Sequence, residues 1–208
     1  MNTKKTFSVM ITIVLASIAV VFASSYTLDF DNTNKIGFTY SDSKLIKNVL
    51  SSKDIFMSTP IRISDYTVKQ YCMYFDQDND QHIMDYCLTS ALTNLHGEPL
   101  GNINIGGNSE HPQMAVALIE TSDIDSRQET IVSVFDTLID VLVCDCWEEQ
   151  QPGGFASVSD WIAAAKAYYV ESEQNSTKSK ISGLVGNQLI LEITSTGDSY
   201  LWTLIVLK

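Results

Sequence analysis

Between residues 126 and 149, SRQETIVSVFDTLIDVLVCDCWEE, the polar residues Ser133, Asp136, Thr137 and Asp140 recur at spacings of three and four. That is the period of an α-helix. Ile131, Phe135, Leu138 and Leu142, with Val134, Ile139 and Val141 beside them, make a broad apolar stripe that another layer must cover. Ser126 and Glu129 have the S-x-x-E spacing in which a hydroxyl and a carboxylate satisfy free backbone N–H groups, so a start is expected there. Pro152, Gly153 and Gly154 mark the stop.

Two further helices are expected. After Asp42 and Ser43, the residues Leu45, Ile46, Val49 and Leu50 recur at helical spacing over about two turns. Beyond QQPGG, Ser157 or Ser159 caps a helix whose buried side carries Trp161, Ile162, Ala165, Tyr168 and Tyr169, and residues 171–180 form a polar exit loop. The short linker lays this helix beside the long one.

Alternation of apolar and polar residues marks the strands. Residues 68–91 can fold as an antiparallel hairpin with Asn79 and Asp80 at the turn. Tyr71 then faces Leu88, Met73 faces Tyr86 and Phe75 faces Met84, while Gln70 with Thr89 and Tyr74 with Asp85 take the other side. At the C-terminus Gly197-Asp198 suits a tight turn that sets Leu189 opposite Val206, Leu191 opposite Leu204 and Ile193 opposite Trp202. MAVALIE, residues 114–120, has strand length, and YTLDF and IGFTYS, residues 26–30 and 36–41, are short strand candidates. Residues 94–112, rich in glycine and without usable period, read as a long loop or a set of tight turns. The sum is an α+β fold: an antiparallel sheet built from hairpins, with two main helices packed on one face, in a single domain over residues 24–208.

Composition narrows the setting. At 208 residues, 45% apolar and 18% charged, the chain is globular rather than disordered. The net charge is −12, and setting aside Lys4 and Lys5 leaves 11 of the 13 basic residues against 25 acidic ones, about −14. Such a surface repels phosphate backbones, which argues against nucleic acid and favours cations.

The first residues look like an export signal. Lys4 and Lys5 precede FSVMITIVLASIAVVF, and Val21 and Ala23 are the small residues a signal peptidase reads, giving a leader over residues 1–23. The charge-free run over residues 6–28 also exceeds the roughly 20 residues that span a bilayer, so residues 7–28 are the one candidate membrane contact if the leader is not cleaved. Export places the chain outside the cytoplasm, in an oxidising compartment where disulfides form and an extracellular or envelope partner is expected. Asn175-Ser176-Thr177 is a glycosylation acceptor sequence.

The four cysteines are Cys72, Cys87, Cys144 and Cys146. In the register above Cys72 stands opposite Cys87, which favours that disulfide among the three pairings that four cysteines allow. Cys144 and Cys146 point about 200° apart on a continuous helix but emerge on one face if the helix ends before them. They then form either a structural bond or a dithiol couple, whose small ring would be readily reduced.

Two metal patterns are present. Asp76, Asp78 and Asp80 open like a calcium loop, but Gln81 and Cys87 stand where an EF-hand needs glycine and glutamate, leaving only a weak extracellular type of calcium site. His96, Glu98 and His111, with Glu110, are donors that suit zinc or copper. His96-Gly97-Glu98 lacks the P-C-x-x-C half of the deaminase signature. No G-x-S-x-G, P-loop or G-x-G-x-x-G occurs. With no catalytic signature, the residues favour a disulfide-stabilised binding or assembly domain; a metal-binding envelope protein and a thiol oxidoreductase are the rivals.

Overall fold

The structure is a computed structural model that describes residues 37–75 and 81–208. The leader, the YTLDF segment and the acidic turn with Asp76, Asp78 and Asp80 lie outside the described residues. The fold is α+β, built on one large antiparallel sheet. Helix α1 (Asp42–Ser51) leads into two short strands, β1 (Phe56–Met57) and β2 (Ile61–Arg62), then helix α2 (Asp65–Tyr71) and the pair β3 (Met73–Phe75) and β4 (Gln81–Ile83). A meander follows: β5 (Tyr86–Thr93), β6 (Pro99–Gly107) and β7 (Pro112–Thr121). Helices α3 (Gln128–Leu142), α4 (Trp147–Gln150) and α5 (Val158–Ser172) lead to a second meander, β8 (Ser176–Leu184), β9 (Asn187–Ser195) and β10 (Tyr200–Leu207).

The long strands lie in the order β5-β6-β7-β10-β9-β8, so the two meanders meet at the β7·β10 seam. At one edge β1 and β2 both pair with β5. The strand period then sorts side chains between two faces. On one, Leu92, Ile103, Ile105, Ala115, Ala117, Leu189, Leu191, Ile193, Trp202, Leu204 and Val206 join the main core with Phe135 and Leu138 of α3 and Trp161 of α5. Helix α3 lies against β7 and β10, and α5 against β8 and β9. Ala115 and Ala117, both fully buried, keep the β7 surface low where a helix approaches.

The opposite face carries a second cluster. Val68, Cys72 and Met84 lie there over Cys87, Met114, Val116, Ile190 and Leu207. The segment from α2 to β4 thus forms a strap across the sheet, and helices are not confined to one face. Gly106 makes room for it: a Cβ there would sit 2.9 Å from Cys72 Sγ and 3.0 Å from Met84 Cγ. Asn104, fully buried, donates from Nδ2 to the Tyr71 carbonyl at 3.2 Å and so ties the end of α2 down.

Several expectations hold. The C-terminal hairpin has the expected register, with Leu189 opposite Val206, Leu191 opposite Leu204 and Ile193 opposite Trp202. Helix α1 forms where the spacing put it, with Ile46 and Leu50 fully buried. Ser157 caps α5 by accepting from the Asp160 N–H at 3.1 Å.

Other expectations are corrected. The hairpin over residues 68–91 does not form: Val68 to Tyr71 are helical, and Met73 pairs with Ile83 rather than Tyr86. The reason is competition for β5. Its edge is taken by β1 and β2 and its other side by β6, so residues 68–75 have no strand position left beside it. Residues 94–112 are not a long loop, because β6 occupies their centre. Asn102, Asn104 and Gly106 alternate with Ile103 and Ile105, and the strap covers the polar side of a strand that would otherwise face water. Residues 37–41 of IGFTYS form no strand, although Phe38 is buried. Residues 176–180 of the expected exit loop belong to β8, and Tyr168 is 58% exposed rather than buried.

The long helix ends earlier than expected, at Leu142, and resumes as α4 after Cys146. Its capping box is not made. Arg127, at φ 56°, takes the cap position, and its Nη1 donates to the carbonyls of Pro99 and Glu120 at 3.0 and 3.1 Å. The Asp123 carboxylate instead accepts from the N–H groups of Asp125 and Ser126.

Candidate functional site

Both disulfides are present, and they are unlike. Cys72 and Cys87 are fully buried and join the end of α2 to β5, with Cα atoms 6.2 Å apart and a sequence separation of 15. The bond is not the cross-strand pair that a hairpin would give; it clamps a strap to the sheet beneath. Constraining a loop of that length in the unfolded chain stabilises the fold by about 3 kcal/mol. Cys144 and Cys146 are two apart in sequence and bonded to each other, with Cα atoms 5.2 Å apart. On the same chain-entropy argument so short a loop contributes only about 1.6 kcal/mol.

The second bond forms because α3 ends just before it. Both Val143 and Cys144 donate their N–H groups to the Ile139 carbonyl, and Val143, at φ −111° and ψ −75°, closes the helix. The chain then turns through Asp145 and restarts at Trp147, whose indole N–H donates to the Phe155 carbonyl at 3.1 Å. Trp147 stacks on Trp161 with centroids 5.8 Å apart, which fixes α4 against α5. Cys144 and Cys146 remain half-buried at the rim of the core.

Beside this bond is a cleft of about 290 Å³ lined by Asp136, Asp140, Asp145, Cys146, Trp147, Glu148, Glu149, Ser157 and Val158. Five carboxyl groups therefore share one opening. Burial pushes the Asp140 carboxyl up to about 7, and the charges of Asp136 and Asp145 push the same way while Lys53 opposes them. Lys53 reaches Asp136 at 3.5 Å and donates to the Thr137 hydroxyl at 3.1 Å. Asp140 is thus a carboxyl group able to gain or lose a proton near neutral pH, which a normal aspartate cannot do.

Asp136, Asp140 and Cys144 follow one another at steps of four, so they descend one side of a helix and its continuation. That spacing was visible in the sequence as part of a polar stripe. Nothing in the stripe itself distinguished a solvated face from the wall of a cleft.

The candidate metal ligands do not meet. His96 and Glu98 lie in the β5–β6 turn, where the Asn94 side chain accepts from both their N–H groups. His111 is in the β6–β7 turn, at the other end of β6, with Glu110 at 4.0 Å. Nine extended residues separate the two ends by about 27 Å, so one ion cannot hold all three residues. Among the described residues no group of three histidine, cysteine, aspartate or glutamate side chains is arranged to hold a metal ion. Asn175 is exposed just before β8, and its carbonyl accepts from the Ser195 N–H at 2.8 Å.

The two disulfides point to an oxidising compartment. Among the described residues no helix is long and apolar enough to cross a membrane. No family model, no curated protein and no solved structure matches the chain.

Proposed function

We propose that this chain is an exported, disulfide-stabilised binding or assembly domain that meets a protein partner of the cell envelope through its strap. One observation carries the reading: large apolar side chains left in water are concentrated on the strap and on the edge strands β1 and β2 that lead into it. Among the described residues nine large hydrophobic side chains are exposed, and five of them, Phe56, Ile61, Tyr66, Tyr71 and Ile83, belong to the stretch from β1 to β4. Tyr66 is 84% exposed. By register Phe56 lies opposite Thr93 and Ile61 opposite Thr89, which puts both on the Cys87 side of β5, the side the strap covers.

Aromatic side chains presented on a firm base are what protein interfaces use as anchors, because they bury much area at little entropic cost. The buried Cys72–Cys87 bond supplies the firm base. In this reading the two main helices back the sheet from one side and leave the strap side for contact.

The test is a photoreactive residue introduced at Tyr66, and separately at Glu171 on α5, in cells that make the protein. A discrete adduct from position 66 that is lost with Ile61→Ala and Tyr71→Ala, at unchanged melting temperature, is the expected result. Equal labelling from both positions, or adducts indifferent to these substitutions, would sink the proposal.

A further inference from the structure

We propose that the Cys144–Cys146 disulfide is a thiol-exchange site that oxidises neutral or cationic dithiols, with Asp140 as the proton donor to the leaving sulfur. The inference stands on where the bond lies rather than on its presence. The Cys72–Cys87 bond is sealed in the second core and holds two elements together, whereas Cys146 lines an open cleft and its bond bridges one residue. A bond of that kind organises little of the fold, so breaking it leaves the sheet, the strap and the helix layer in place. Exchange also needs access for an attacking thiolate and a group that protonates the departing one. The cleft supplies access, and Asp140 lines it together with Cys146.

In the first step a substrate thiolate attacks Cys146 Sγ. The S–S bond breaks, its electron pair goes to Cys144 Sγ, and the Asp140 carboxyl gives that sulfur its proton. In the second step the Asp140 carboxylate takes the proton of the substrate's other thiol. The resulting thiolate attacks the substrate sulfur of the mixed disulfide, and Cys146 departs as a thiolate that is protonated from solvent. Overall two electrons and two protons pass from a dithiol, which becomes a disulfide, to the Cys144/Cys146 pair. A second, more oxidising protein disulfide restores the bond by the same exchange in reverse.

Charge sets the substrate class. The groups that face Asp140 are Asp136 on its own helix, Asp145 in the turn, Glu148 and Glu149 on α4, and Lys53 beyond α1. One cation against four carboxylates repels anionic thiols such as glutathione and attracts basic ones. Burial pushes the carboxyl of Asp140 up to about 7, so that it can both give and take the required proton near neutral pH.

The experiment uses the full chain, oxidised, equilibrated with graded ratios of reduced to oxidised dithiothreitol, then alkylated and mapped by mass. The Cys144–Cys146 pair is expected to open first, with Cys72–Cys87 intact and the near-ultraviolet dichroism of the native fold retained. At equal thiolate concentration a cationic monothiol should attack about tenfold faster than an anionic one, a gap that salt closes. Asp140→Asn should slow exchange on the order of a hundredfold at pH 7 and remove the inflexion near that pH, while Asp160→Asn changes neither. If both disulfides yield only when the chain unfolds, or if Asp140→Asn leaves rate and pH profile unchanged, the assignment is overturned. The redox titration needs no substitution, so a variant that fails to fold does not shield it.

Discussion

Asp140 shows how one residue changes character when its surroundings are supplied. In an unfolded chain its carboxyl ionises near 3.8; in the fold, burial and the charges of Asp136 and Asp145 raise that to about 7. Between those values the folded chain binds a proton that the unfolded chain has lost, so this residue's contribution to stability falls as pH rises from about 4 to about 7. Asp140→Asn removes the dependence. Its melting temperature relative to the parent should rise between pH 4 and about pH 7 and level off above, as differential scanning calorimetry would record, and a constant difference would refute the account. Gly106 is the other residue whose meaning is positional. A side chain there meets Cys72 Sγ and Met84 Cγ at or inside contact distance. Gly106→Val should destabilise the chain by about 1–3 kcal/mol through overpacking, measured by urea unfolding.

At the scale of elements, the strap and the cysteine turn differ in what they contribute. The strap is a short helix and two short strands that could not persist alone; burial of Val68 and Met84 and one disulfide keep it on the sheet. Replacing Cys72 and Cys87 together by serine should cost about 3 kcal/mol, plus the loss of buried contacts, and should make residues 65–83 the first site of limited proteolysis. Replacing Cys144 and Cys146 should cost about half as much and leave that pattern alone. Equal losses from the two double variants would show that the turn is architecture after all. Helix α3 is the element on which the main core depends. Phe135 is fully buried at its middle, and Phe135→Ala should cost about 3–5 kcal/mol.

For the whole molecule, charge is the dominant collective property. A net charge of −12 spread over one chain repels itself, and four carboxylates gather around Asp140 in one cleft. Raising salt from 10 to 300 mM at pH 8 should therefore increase the melting temperature. Relief of roughly 1 kcal/mol corresponds to about 2–4 °C. Near the isoelectric point of about 4.5 the increment should vanish, and a salt effect of equal size at both pH values would contradict this explanation. The sheet divides this surface in two: α3 and α5 join the main core on one side, and the strap, with α2 and its exposed aromatics, takes part of the other.

The sequence by itself determined the elements whose partners are close along the chain. Helix α3 follows from its own period, and the β9–β10 register follows from alternation around a turn that Gly197 permits at φ 92°. Pairing of Cys72 with Cys87 was legible too, although from the wrong register. What surrounds each element was decided only in three dimensions. Residues 68–75 alternate well enough for a strand, yet β5 was already satisfied by β1 and β2 from upstream and by β6 from downstream. Residues 99–107 look like a glycine-rich loop until a strap lies over their asparagines. The cleft is of the same kind: Asp136 and Asp140 read as a solvated stripe, and only the break of α3 at Val143 and the return of α4 give that stripe walls. Periodicity records which side of an element avoids water. It carries no record of which distant surface excludes the water, and that surface makes a carboxyl group titrate near 7 and leaves one disulfide within reach.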